Sequence, residues 1–130
     1  MIGRKRKLET TYDEWGVRKR KKINLDELKT DSKILSLDQC YFSIDEFKIL
    51  CDKIAANKKL EILELYDCGI DDERLHMLGD VIVPNTTIKD LDLFGNHITH
   101  EGAHSFTNRM VENTTLCTID FDMNDFIENV

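Results

Sequence analysis

The sequence repeats one pattern of residue types every 28 positions. Copies begin at Ser32, Leu60, Ile88 and Leu116. Within a copy, the fourth, sixth and eleventh positions are apolar, and the ninth is Cys or Asn. The four columns are Leu35, Leu63, Leu91 and Ile119; Leu37, Leu65, Leu93 and Phe121; Phe42, Ile70, Ile98 and Phe126; and Cys40, Cys68, Asn96 and Asn124. A fixed period of this length predicts a stacked-repeat architecture, in which each unit packs against its neighbours.

Each copy is predicted to be a short strand followed by a helix. The twelfth position holds Ser43, Asp71 or Thr99, which favour helix N-caps, and Glu46 completes a capping box with Ser43. Apolar helix columns follow: Phe47, Leu75 and Ala103; Leu50, Leu78 and Phe106; Ile54, Ile82 and Met110. The ninth side chain is expected to sit under the next repeat, where Asn satisfies buried backbone groups and Cys is a weaker substitute.

These columns resemble the leucine-rich repeat family, and within it the ribonuclease-inhibitor-like subclass, over residues 32–126. The resemblance implies an α/β fold, a leucine-rich repeat solenoid. Such a chain winds as a short right-handed β-α superhelix, with a parallel sheet on the concave side and helices on the convex side. Members of this family mostly bind other macromolecules, with partners that differ from member to member. The subclass often has Gly at the fifteenth position, where only Gly102 fits here.

Three segments are predicted along the chain. Residues 1–22 form a basic flexible arm, residues 23–31 an N-terminal cap, and residues 32–130 a repeat domain of three full repeats and a partial fourth. In the cap, Asn24 or Asp26 is placed to begin a short helix. A cap of this kind is needed because the first repeat would otherwise expose its apolar face.

The fourth copy has a predicted strand and turn but no helix after them. Its apolar face is expected to be covered by the last apolar residues, Phe126, Ile127 and Val130, or by another chain. The last strand edge is a candidate for self-association or for pairing with a partner, because an open edge offers unpaired backbone groups.

The net charge of −7 is divided unevenly, with +6 on residues 1–22 and −13 on residues 23–130. The basic residues of the arm form two clusters that flank ten other residues. This arrangement resembles a bipartite nuclear-import signal, which an import receptor would read. The clustered residues are Arg4, Lys5, Arg6, Lys7, Arg18, Lys19, Arg20, Lys21 and Lys22. The sequence therefore predicts an intracellular protein of the nucleus or cytoplasm.

The basic arm has two other interpretations. It could associate with nucleic acid in a salt-sensitive way, although the −13 body would repel the same ligand. It could also bind the acidic body of its own chain. No apolar run approaches the ~18 residues that a membrane-spanning helix needs, and no apolar segment of a signal peptide follows the basic N-terminus.

A candidate partner-binding surface follows from the alternation of side chains along each strand. If the fourth and sixth positions face the core, the third, fifth and seventh face the concave side. The candidate partner-binding residues chosen from them are Glu64, Tyr66, Asp92, Phe94, Asp120 and Asp122. Exposed rings beside carboxylates suit a Lys- and Arg-rich peptide or protein.

The competing chemistry is an HExxH motif at His100, Glu101 and His104, which in zinc hydrolases binds the metal and activates water. The repeat already accounts for the two residues between Glu101 and His104, because Gly102 and Ala103 occupy repeat columns. The four cysteines include no CxxC pair and are predicted to be reduced thiols, two of them in the ninth column. We therefore expect a non-enzymatic chain with no catalytic residue, metal or cofactor.

Overall fold

A computed structural model describes residues 12, 14–16 and 21–126 of the chain. Four strands and three helices alternate in this part of it. The strands are β1 (Ile34–Ser36), β2 (Ile62–Glu64), β3 (Asp90–Asp92) and β4 (Thr118–Asp120), and the helices are α1 (Ile44–Ala56), α2 (Asp72–Ile82) and α3 (His100–Arg109). Two short 3-10 helices, Leu25–Glu27 and Met110–Glu112, accompany them. No helix of the described residues is long and apolar enough to span a bilayer.

The strands form one parallel sheet in the order β1-β2-β3-β4. Its register aligns Leu35 with Leu63, Leu63 with Leu91, and Leu91 with Ile119. Residues 28 positions apart in the sequence therefore lie opposite each other on neighbouring strands, as predicted. The helices pack side by side, α1 on α2 and α2 on α3, so sheet and helices enclose a single apolar layer.

The predicted helix columns face that layer. In the first helix column, Phe47 and Leu75 are buried and Ala103 is half-buried. All members of the other two columns are buried: Leu50, Leu78, Phe106, Ile54, Ile82 and Met110. Ser43, Asp71 and Thr99 are the N-caps of α1, α2 and α3. At α1 the capping box is complete. Hydrogen bonds from the Ser43 backbone, from the Lys22 side chain outside the box and from the Ser43 hydroxyl lower the pKa of Glu46 to about 2.

Asn96 joins two repeats in the interior. Its Oδ1 accepts from the backbone N–H groups of Cys68 and Ile70, both at 2.9 Å. Its Nδ2 donates to the carbonyls of Leu65 at 2.9 Å and Leu93 at 3.0 Å. The prediction that this column satisfies buried backbone groups is confirmed. The prediction that the side chain sits under the next repeat is wrong. The Asn96 amide reaches the preceding repeat, because the turn there presents the N–H and carbonyl groups that need partners.

The eighth position of each repeat adopts a left-handed backbone conformation. The φ angles are +63° at Gln39, +54° at Asp67, +71° at Gly95 and +59° at Met123. Because three of these residues are not glycine, the column has no glycine signature in the sequence. In each repeat, this conformation turns the backbone out of the strand and into the loop that follows it.

Both ends of the stack are covered in part. Asn24 caps the first 3-10 helix, which places the buried Leu25 against the core. At the other end, Asp125 bridges Thr99, and its N–H donates to the Ile98 carbonyl at 3.0 Å. The core residues of the fourth repeat, Leu116, Ile119 and Phe121, are nevertheless only half-buried.

Of the three residues predicted to cover the C-terminal end, the structure describes only Phe126. Phe126 lies edge-on to the His100 ring, with the centroids 6.3 Å apart, and it is 39% exposed. Ile127 and Val130 lie outside the described residues. Pairing of the β4 edge with another chain stays a prediction.

Candidate functional site

The fifth repeat position forms an acidic row across the sheet. The ladder pairs Ser36 with Glu64, Glu64 with Asp92, and Asp92 with Asp120. Neighbouring strands lie ~4.8 Å apart, so three carboxylate side chains follow one another at about this interval. They alternate with buried residues such as Leu63, which places the row on the concave face.

Backbone hydrogen bonds orient two of these carboxylates. Asp92 Oδ1 accepts from the N–H of Phe94 at 3.0 Å, and Asp120 Oδ1 accepts from the N–H of Asp122 at 2.9 Å. A charged acceptor on a backbone N–H makes a comparatively strong bond, so each side chain is held close to its own strand. Two of the three carboxylates of the acidic row, Asp92 and Asp120, are therefore fixed in place by the fold.

Two aromatic rings stand beside the acidic row. Tyr66 and Phe94 occupy the seventh position on adjacent repeats, and their ring centroids are 5.9 Å apart with planes tilted by 54°. The ladder continues through this column, because Asp67 N–H donates to the Phe94 carbonyl at 2.9 Å and Gly95 N–H donates to the Asp122 carbonyl at 3.0 Å. Rings and acids thus form one continuous concave surface.

Exposure divides the predicted site residues into two groups. Tyr66 is 6% exposed and Asp92 is 4% exposed, so the prediction that both rings and all the acids face solvent is wrong for these two. Concave curvature brings inner side chains of adjacent strands together, and the Phe94 ring lies against Tyr66. Glu64, Phe94 and Asp120 are half-buried, and Asp122 is exposed.

Asp38 belongs to the same surface, although it was not among the predicted site residues. Its Oδ1 accepts from the Tyr66 N–H at 3.1 Å, and its Oδ2 accepts from the Ser36 hydroxyl at 3.2 Å. The signal was present in the sequence, because Asp38 occupies the seventh position of the first copy. It extends the acidic surface to the first repeat.

The end of the basic arm lies on the first repeat. The Lys21 N–H donates to the Gln39 carbonyl, and the Tyr41 N–H donates to the Lys21 carbonyl, both at 2.9 Å. Lys22 Nζ lies 2.9 Å from Glu46 and 5.3 Å from the centre of the Tyr41 ring. Lys21 and Lys22 therefore contact the body. The other members of the two basic clusters lie outside the described residues.

The HExxH residues lie in the first turns of α3, and all three are exposed. His100 contacts Phe126, and His104 Nε2 is 3.3 Å from the Asn108 amide. Among the described residues, no group of three or more His, Cys, Asp or Glu side chains is placed to hold a metal ion. Gly102 serves packing here, because an added Cβ would clash with the Asp72 carboxylate.

Three of the four cysteines are structural thiols. Cys40, Cys51 and Cys68 are buried, and burial raises the pKa of each, that of Cys51 to about 12. A thiol whose pKa is raised stays protonated at neutral pH, which makes it a poor nucleophile and metal ligand. Cys68 Sγ instead lies 3.0 Å from the Leu37 carbonyl and fills the ninth column.

Comparison with known proteins agrees with this architecture. The family model described as Leucine Rich repeat matches residues 56–73 and 85–106, which include the β2 and β3 strands of the second and third repeats. The chain has a leucine-rich-repeat fold. The ribonuclease-inhibitor-like subclass stays a prediction. No protein among the curated sequences matches the chain.

Two solved leucine-rich-repeat-like structures are similar to this chain. One is described as leiomodin-1 actin-binding site 2, with 19% sequence identity, a TM-score of 0.66 and 77% of this chain covered. The other is the tropomodulin C-terminal domain of Caenorhabditis elegans, with 18% identity, a TM-score of 0.65 and the same coverage. This leucine-rich-repeat chain spans 58% of the first and 60% of the second. At these identities the likeness establishes the fold.

Proposed function

We propose that this chain is a non-enzymatic protein-interaction module, and that its partner is a basic peptide or protein that docks on the concave face. The observation that carries the proposal is the ladder register. It aligns Glu64, Asp92 and Asp120 in one row, with the Tyr66 and Phe94 rings beside it. The fold supports this role because leucine-rich repeats present a curved sheet as a preformed surface.

The accessible part of this surface is the half-buried Glu64, Phe94 and Asp120 with the exposed Asp122. Arg and Lys side chains would meet the carboxylates, and the Phe94 ring provides an apolar contact of the kind that anchors interfaces. The buried Tyr66 supports Phe94 from the side. Because its truncation would also open the core, a test on the charges separates binding from folding.

The experiment compares two variants of the full chain that lose the same charge. Glu64→Gln with Asp120→Asn removes charge from the concave face and keeps hydrogen-bonding side chains at both positions. Glu73→Gln with Glu101→Gln removes it from exposed positions on α2 and α3. Proteins captured from cell extract are quantified for each variant against the natural chain.

We expect the concave variant to lose the captured partner while the helix-face variant retains it. Equal loss in both would indicate a general effect of net charge, and retention in both would exclude the concave face. Leiomodin-1 is described as actin-binding, so actin is the first individual protein to test by cosedimentation. An actin interaction that survives the concave substitutions would contradict the proposed surface.

We also propose that the basic arm directs nuclear import. The two clusters within residues 4–7 and 18–22 support this, together with their spacing. The test is the localisation of a fluorescent fusion in which Arg4, Lys5, Arg6 and Lys7 are replaced by glutamine. Nuclear accumulation that persists after these substitutions would contradict the proposal.

The hydrolase alternative has less support, because His100, Glu101 and His104 lie on an open helix face. A zinc hydrolase needs a third ligand and a site for the substrate. Nucleic-acid association through the arm would weaken steeply with added salt, which distinguishes it from import by a receptor.

A further inference from the structure

A second charged surface lies away from the concave acidic row, at the amino ends of the strands. The second position of successive repeats holds Lys33, Glu61 and Lys89, each directly before a strand. Lys58 and Lys59 come from the corner between α1 and β2. Together with Thr86 they line a surface hollow of about 330 Å³. We call this surface the lysine hollow.

The charge of the lysine hollow is opposite to that of the body around it. Residues 23–130 contain nine basic and 22 acidic side chains, and four of those nine lysines and arginines meet here. Glu61 is the one acid in the lining. It lies 4.0 Å from Lys33 and 3.2 Å from Lys89, so it offsets part of their charge and holds them on either side.

The remaining lysines of the hollow have different surroundings. Lys58 Nζ donates to the Ala55 carbonyl at 2.9 Å, at the end of α1. The Lys59 ammonium makes no ion pair with a carboxylate within residues 21–126, and its side chain is exposed. The backbone N–H groups of Lys59, Thr87 and Lys89 already have partners, which are Asn57 Oδ1, Asn85 Oδ1 and the Glu61 carbonyl. Recognition of an anion would therefore use side chains.

We propose that the lysine hollow binds a short acidic segment of a protein partner. Lys33 and Lys89 are separated by two strand spacings, ~10 Å. Along an extended peptide, side chains on one face repeat every ~7 Å, so two carboxylates span ~7 Å and three span ~14 Å, which brackets the distance between the two lysines. The Thr86 hydroxyl, also exposed, is a further donor at the edge.

The size and surroundings of the hollow favour a short peptide over a nucleic acid. A nucleic-acid strand would carry its phosphates beyond the hollow and over a body whose net charge is −13. A short segment places its carboxylates on the four lysines alone. The module would then have two surfaces of opposite charge, the concave face for a basic partner and the hollow for an acidic one.

The test is a titration of the ¹⁵N-labelled full chain with a hexaglutamate peptide, followed by NMR at low salt. The hollow variant carries Lys59→Gln and Lys89→Gln. The matched control carries Lys29→Gln and Lys48→Gln, two exposed lysines elsewhere on the body. Both variants keep the basic arm, so any binding by the arm is the same in each.

We expect the peptide to shift the amide signals of residues 58–61 and 86–89. The dissociation constant of the peptide, obtained from these shifts, should rise about fivefold in the hollow variant, because exposed charge pairs are individually weak. It should stay unchanged in the control. Shifts confined to the arm, or an equal loss in both variants, would overturn the proposal. So would tighter binding at these same amides by a hexanucleotide of equal charge.

Discussion

Replacing Asn96 by alanine tests how the repeats are held together in the interior. The side chain is 2% exposed and makes four hydrogen bonds of 2.9–3.0 Å to backbone groups of two repeats. Alanine leaves two N–H and two carbonyl groups without these partners. At about 0.5–1.5 kcal/mol for each bond, the loss is about 4 kcal/mol. A domain of this kind has a free energy of unfolding of roughly 5–15 kcal/mol, so the variant is expected to be close to unfolding.

The assay is equilibrium unfolding in urea, followed by far-UV circular dichroism. Asn124→Ala is the matched control, because Asn124 makes the equivalent bonds to Ile98, Leu93 and Phe121 in the last repeat. Its side chain is half-buried, so water can replace the amide, and about 1 kcal/mol is expected. An Asn96→Ala cost below 1 kcal/mol, or one no larger than that of Asn124→Ala, would refute the reasoning.

Three further predictions concern single positions. Gly102→Ala should destabilise the chain because its Cβ would clash with the Asp72 carboxylate. In an Asp72→Ala background the same substitution should stabilise by about 1 kcal/mol, since alanine favours a helix over glycine. Thermal unfolding of the natural chain, the two single variants and the double variant checks this change of sign. Cys68→Asn should raise the free energy of unfolding by about 1 kcal/mol, because an amide is a stronger donor than the thiol to the Leu37 and Tyr66 carbonyls. A lower free energy of unfolding in urea would show that the ninth column has no room for Asn at this repeat. The pKa of Glu46 falls from 4.5 to about 2 in the folded state, so its contribution is present above about pH 4.5 and lost as the pH falls towards 2; Glu46→Gln should flatten the stability profile in that window, and an unchanged slope would contradict the shift.

The fold was predictable because the 28-residue period encodes strand register directly. Once Leu63 and Leu91 share a column, a stack of parallel strands follows, and the structure pairs them. The caps at Ser43 and Thr99 were predictable for a local reason, since their side chains bond to N–H groups three residues later.

The site was less predictable, because exposure depends on curvature. Alternation places Tyr66 and Asp92 on the concave side, but it does not show how closely neighbouring inner side chains pack. The lysine hollow was missed because Lys59 comes from a corner and Lys89 from a strand start, which only the folded chain brings together. The contact of Lys21 with the first repeat uses backbone groups, which carry no residue signature.

The most direct measurement of the central claim is the affinity of the full chain for an arginine-rich peptide, determined by isothermal titration calorimetry. We predict that Glu64→Gln with Asp120→Asn weakens binding about tenfold, since close charge pairs at a partly desolvated surface contribute substantially to affinity. The helix-face variant with Glu73→Gln and Glu101→Gln should bind within about twofold of the natural chain, because exposed charges away from the contact contribute little. Equal weakening in the two variants would contradict the assignment of the concave face as the docking surface.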